Sequence, residues 1–253
     1  MRLDSLLAER GLFESRTRAA AAVLAGQVHL GPGRRRAEKP GQLVDAAIEL
    51  SVAGPPPYVS RGGVKLANAL DALGVPVSGR RALDVGASTG GFTDCLLQRG
   101  ADHVIALDVA YGELDYRLRE DPRVTVIERV NARSLTPDVL PYAPSLIVVD
   151  VSFISLTKVL PAVLSCAAEA FDCLAMVKPQ FEVGRERIGK GGVVRDPELR
   201  REAVQAVAAA VDAAVLASTP SALEGPSGNR ETFLWLAESG RAGGLSADEV
   251  QAW

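Results

Sequence analysis

Residues 81–94 read RALDVGASTGGFTD: a short apolar run ends in Asp84 and passes into a turn carrying Gly86, Gly90 and Gly91. Glycine at the end of a buried strand lets backbone N–H groups approach a ligand, because no Cβ intervenes and positive φ is accessible. The spacing is G-x-x-x-G-G, unlike the G-x-G-x-x-G of a pyrophosphate binder, and an acid stands in front of it. A carboxylate there repels a diphosphate and suits a cationic or zwitterionic ligand. Further apolar runs of strand length follow at 104–108, 124–128, 146–150 and 173–178, separated by helix-like stretches. This βαβα order predicts an α/β fold with a doubly wound parallel sheet, whose ligands sit at the carboxyl ends of the strands.

Two further residues fall at those ends. Asp108 closes the second run, 24 residues after Asp84, where a carboxylate can hydrogen-bond both hydroxyls of a nucleoside ribose. Asn131 follows the third run and is placed either to read an adenine edge or to stabilise a turn. Residues 198–217, rich in alanine and valine with Asp212 among them, are expected to form one sheet-covering helix.

Residues 1–60 read differently. Leu3, Leu6 and Leu7 give a helical stripe that breaks at Gly11, and Ser15 is a suitable N-cap for a second helix over 16–25. Short strand-like pieces follow at Val28 and Leu30, at Leu43 and Val44, and at Ile48, Leu50 and Val52, with a turn at Gly31 to Gly33. This segment holds eight basic and six acidic residues in a chain of net charge −3, a local excess compatible with nucleic acid. Gly54-Pro55-Pro56-Pro57 reads as a stiff linker, since successive prolines fix φ. The expected domains are therefore 1–56 and 57–253.

Three cysteines without C-x-x-C spacing suggest neither a disulfide framework nor a zinc site, so no metal is expected. Charges at Arg2, Asp4, Glu9 and Arg10 rule out a signal-peptide core, and no long uncharged apolar run follows. The expectation is a cytoplasmic protein with no membrane partner.

The fourth strand run ends in Asp150 within DVSFIS and the fifth ends in Lys178 within VKPQFE. A lysine at the end of a core strand is costly unless paired, which makes Asp150 its nearest candidate partner. A glycine- and cation-rich loop over 182–195 either clamps a phosphate backbone or is merely solvated.

The acid-plus-glycine turn resembles motif I of class I S-adenosylmethionine-dependent methyltransferases. The pattern RLDxLLxxRGLxxSRxxAxxxxxxGxVxL over residues 1–55 resembles the RNA-binding module named after ribosomal small-subunit protein S-four. Lys65 in SRGGVKL, Asp150, Lys178 and Glu231 in GPSGNRETF resemble the charged tetrad of ribose 2′-O-methyltransferases of the RrmJ/FtsJ type. With DVGASTGGFT, GKGGVV and GPSGN also present, the chain resembles the TlyA family of ribosomal RNA methyltransferases, historically also called hemolysins. The resemblance implies a Rossmann-like methyltransferase sheet behind a small α+β RNA-binding domain. It implies S-adenosyl-L-methionine held by Asp84, Gly86, Ser88, Thr89, Gly90, Gly91, Asp108 and Asn131. It implies catalysis by Lys65, Asp150, Lys178 and Glu231 on cytidines of 16S and 23S rRNA, or on ribosomal subunits. Arg10, Arg16, Arg18, Arg34, Arg35 and Arg36 would meet RNA, the last three from a loop. Base amino-methyltransferases carry an N/D-P-P-Y/F turn after the fourth strand; DVSFIS is not one. A non-catalytic ribosome-assembly factor is the alternative reading, and membrane lysis leaves the tetrad unexplained.

Overall fold

A computed structural model describes residues 1–54, 56–225 and 227–253; Pro55 of the linker and Pro226 of the GPSGN motif lie outside the described residues. The chain divides into two compact units, Met1–Pro57 and Tyr58–Trp253.

In the first unit, α1 (Leu3–Glu9) and α2 (Arg16–Leu24) pack their leucine, alanine and valine faces with Val28 and Leu30. Ser15 caps α2 by accepting from the Arg18 amide at 3.2 Å. A three-stranded antiparallel sheet follows, in the order β2 (Arg35–Arg36), β1 (Val28–Leu30), β3 (Leu50–Val52). Two expectations change here. Arg35 and Arg36 lie in a strand opposite Leu30 and His29 instead of a loop, because Arg34 takes φ 48° and turns the chain back. Leu43 makes only a bridge to Arg2, and the third strand is Leu50–Val52 alone.

The second unit begins with α3 (Arg61–Leu73), capped by Ser60 and stopped by Gly74 at φ 69°. Then come β4 (Arg81–Val85), α4 (Gly91–Gln98), β5 (His103–Asp108), α5 (Tyr116–Arg119), β6 (Val124–Glu128), β7 (Leu146–Val149), α6 (Leu160–Leu164), β8 (Asp172–Val177), α7 (Pro179–Glu182), α8 (Pro197–Ala210), β9 (Ala214–Pro220) and β10 (Thr232–Ala237). They build a seven-stranded sheet ordered β6-β5-β4-β7-β8-β10-β9. Strand side chains alternate between two cores, as the two-residue repeat requires. Leu83, Val85, Ile105, Ile147 and Val177 meet α6 and α8 on one face; Ala82, Val104, Val148 and Met176 meet α3 and α4 on the other. The three cysteines are buried and free.

The sheet departs from a fully parallel one at β10, which runs antiparallel to both β8 and β9. The helix expected over 198–217 ends at Ala210. Ala214–Pro220 is a strand instead, because an apolar stretch of helical composition gains an antiparallel ladder, broken by one bulge, against β10. Asp212 sits in the turn between them, where its backbone and side-chain oxygens accept from Ser239 Oγ at 3.1 and 3.2 Å. The strand order reverses between β4 and β7, and a crevice at the carboxyl ends belongs at that reversal.

Candidate active site

The β4–α4 turn lies at the reversal. Gly86 has φ 85°, and a Cβ there would run into the Asp150 carbonyl oxygen at the end of β7. Gly90 at φ 94° opens α4, and a Cβ on Gly91 would press on the Gly63 amide nitrogen, 2.9 Å away. The cradle therefore holds three backbones closer than any side chain allows. Gly86, Ser88, Thr89 and Gly91 line a cleft of about 450 Å³ together with Ser60, Arg61 and Phe92.

Asp84 is fully buried beneath this turn and does not line the cleft. Its Oδ2 accepts from the Thr93 amide at 2.9 Å and the Thr93 hydroxyl at 2.7 Å, tying β4 to α4, while Oδ1 has no partner. Burial pushes its carboxyl up to about 7; the Thr93 bonds pull the other way, and the charges of Asp150 and Asp108 add to the rise.

Lys65, Asp150, Lys178 and Glu231 all line the same cleft. They form two ion pairs. Lys65, from α3, meets Glu231, which stands just before β10, and both are buried, at 7% and 3% exposure. Lys178 and Asp150 follow neighbouring parallel strands β8 and β7 and lie 2.6 Å apart. Lys178 Nζ also donates to Ser152 Oγ at 2.9 Å. Buried charges are tolerated when paired in this way, and the cleft gathers two cations and two carboxylates beside a backbone cradle.

A second cleft of about 530 Å³ opens along β5 and β7 and is lined by Asp108, Glu113, Asn131, Asp150 and Ile154 among others. Asp108 accepts from the Ser88 amide at 2.7 Å and the Ala110 amide at 2.8 Å. Each carboxylate oxygen keeps a further lone pair for a ligand hydroxyl. Asn131 Oδ1 accepts from the Arg133 amide at 3.0 Å and caps a short turn, while the residue also borders the cleft. Among the described residues there is no group of three or more His, Cys, Asp or Glu that could hold a metal ion.

The N-terminal arginines differ from one another. Arg10 donates to the Ile48 and Ala46 carbonyls and is occupied within its own unit. Arg16 lies 3.6 Å from Asp4 and Arg18 lies 3.3 Å from Glu14. Arg34, Arg35 and Arg36 are exposed and have no ion pair among the described residues.

Sequence reasoning missed several participants. Asn229, 1% exposed, accepts from the Val194 amide at 2.9 Å and donates to the Gly192 carbonyl at 2.8 Å, pinning one end of the 182–195 loop; the Arg185 side chain of that loop lies outside the described residues. Phe153, within DVSFIS, is 91% exposed at φ 65° beside the tetrad. Glu113 shares the second cleft and accepts from Ser88 Oγ at 3.1 Å. Phe153 had a signal in its place just after the fourth strand, and Asn229 in its place at the end of the GPSGN motif; Glu113 had none.

Comparison with known proteins gives the family. The family model for FtsJ-like methyltransferases matches residues 58–238. The "16S/23S rRNA (cytidine-2'-O)-methyltransferase TlyA" of Mycobacterium tuberculosis is 50% identical over 240 residues, 93% of this chain and 89% of the relative. "Hemolysin A" of Brachyspira hyodysenteriae is 40% identical over 91% of this chain and 97% of its own length. The solved structure of a candidate hemolysin from Streptococcus thermophilus superposes with a TM-score of 0.73 at 40% identity, covering 95% of this chain and 89% of that one. On the matched domain and on these identities, the chain belongs to the FtsJ-like methyltransferase family, in its TlyA branch.

Proposed function

We propose that this protein transfers a methyl group from S-adenosylmethionine to the ribose 2′-hydroxyl of cytidines in 16S and 23S rRNA. The observation that carries the reading is the convergence of the Lys65–Glu231 and Lys178–Asp150 pairs on one cleft walled by the glycine turn. The residues present fit the cofactor: a backbone cradle at Gly86, Gly90 and Gly91, Asp108 for the ribose, Asn131 at the far rim, and Asp84 with an unpartnered oxygen beneath the turn. Bound there, S-adenosylmethionine supplies an electrophilic sulfonium methyl.

The chain's own residues align and relieve the attacking hydroxyl. A ribose hydroxyl is a poor nucleophile that sheds its proton as it attacks, so a group able to orient its oxygen or accept that proton must reach it. Lys178 is held by Asp150 and Ser152 at the cleft wall, and the Lys65–Glu231 pair adds a second fixed cation and carboxylate to the same cleft. Phe153 and Phe181, with ring centroids 5.3 Å apart, border an adjoining cleft of about 370 Å³ that also contacts Lys178 and Glu231. An exposed ring beside the reacting groups suits stacking on the base of an unpaired nucleotide. The first unit, with Arg16, Arg18, Arg34, Arg35 and Arg36 on its surface, is read as the S-four-like RNA-binding domain, 1–56, ahead of the methyltransferase domain, 57–253. Such a protein works on ribosomal subunits in the cytoplasm.

The test is methyl transfer to rRNA by Lys178→Ala and Lys178→Arg. Alanine is expected to lower turnover by about 10²-fold or more while cofactor affinity by calorimetry stays near wild type. Arginine keeps the charge but cannot accept a proton, so an active arginine variant assigns Lys178 to positioning. Full activity of the alanine variant overturns the reading.

A further inference from the structure

We propose that Glu182 is a positioning residue for the reaction, its half-buried carboxylate fixing the strained turn that holds Phe153 beside Lys178. The inference rests on the acceptor side of the reading above. Phe153 takes φ 65°, a backbone region that a bulky residue enters only at a cost and keeps only when its surroundings over-determine it. Its own side chain is almost wholly exposed, so the restraint must come from its neighbours.

Two anchors supply it. On one side Ser152 is held by Lys178 Nζ at 2.9 Å. On the other side, Glu182 takes the next fixed point with both oxygens: Oε2 accepts from Ser155 Oγ at 2.5 Å and Oε1 from the Leu156 amide at 2.9 Å. Ser155 in turn caps the short turn that starts at Leu156, accepting from the Thr157 amide at 3.2 Å. Phe181, the residue preceding Glu182, provides the ring against which Phe153 leans. Lys178, Phe181 and Glu182 all belong to the short segment that follows β8, so one segment grips the loop after β7 at three points. Glu182 lines none of the three clefts that the tetrad and Phe153 share, and its effect must pass through the loop. Burial raises its carboxyl above the ordinary value, a cost the two donated bonds offset.

The experiment uses the full chain with ribosomal subunits and the variants Glu182→Ala, Glu182→Gln, Phe153→Ala and the double variant. Glu182→Ala is expected to raise KM for the RNA substrate by about tenfold and to leave the cofactor Kd within about twofold. Glu182→Gln keeps an acceptor for the Leu156 amide and a donor toward Ser155, and restores most of the loss. In the Phe153→Ala background, removal of Glu182 adds less than about twofold, since residues acting through one element are not additive. Without RNA, hydrogen exchange across residues 152–157 speeds up in Glu182→Ala. Unchanged exchange, an unchanged KM, or additive losses overturn the proposal. If the wild-type protein transfers no methyl group to RNA, the functional reading falls, and the exchange result still decides the clamp.

Discussion

At the scale of single residues, Asp84 carries the sharpest expectation. Its carboxyl is pushed up to about 7 by burial, so below that pH the fold favours the neutral form. The penalty for ionising it is absent below the ordinary value of about 4 and complete above about 7, so this group makes stability fall as pH rises between the two. A cationic ligand favours the ionised carboxylate. Cofactor binding below pH 7 should therefore release a proton, and affinity should climb with pH up to about 7 and flatten beyond it. Calorimetry at pH 6 in buffers of different ionisation enthalpy measures the release; Asp84→Asn should abolish it, and a pH-flat affinity excludes the coupling. The position of Asp84 was legible in the sequence, because an apolar run must end somewhere and a charged residue marks the end. That it turns inward to Thr93 instead of into the cleft was not, because the choice depends on the threonine hydroxyl nine residues later. Asn229 and Phe153 escaped for the same reason: each is defined by what another loop does to it.

At the scale of elements, the glycine turn was readable and the strand following α8 was not. Gly86 is required twice over, by its positive φ and by the Asp150 carbonyl that a Cβ would strike. Gly86→Ala should cost about 1–3 kcal/mol of stability and weaken cofactor affinity by more than about tenfold, measured by thermal unfolding and calorimetry; near-wild-type values for both would show that the turn adapts. Local composition carried that prediction because the constraint is local. Residues 214–220, in contrast, share the alanine and valine content of the helix before them, and only the ladder to β10 makes them a strand. A chain of helical composition yields to a sheet edge that offers a row of backbone partners. Arg35 and Arg36 became a strand by the same route, through pairing with β1.

At the scale of the whole molecule, charge placement gives the next test. Arg34, Arg35 and Arg36 are exposed on the first unit, and each phosphate they neutralise contributes about 0.7–0.9 to the salt slope of RNA binding. Replacing all three with serine in the intact protein should lower that slope by up to about 3 and leave cofactor affinity unchanged. A slope equal to wild type would remove this strand from the RNA surface. The order of the sheet has a different consequence, for biosynthesis. Lys65 and Glu231 are 166 residues apart, and β10 enters the sheet between β8 and β9, both made before it. Until residue 237 has left the ribosome, two strands stand with open edges, the arrangement most prone to pairing with the wrong chain. A growing chain that has yet to make β10 therefore holds three of its four cleft charges but a divided sheet, and an enzyme of this design gains its activity only once that strand is laid between its two neighbours.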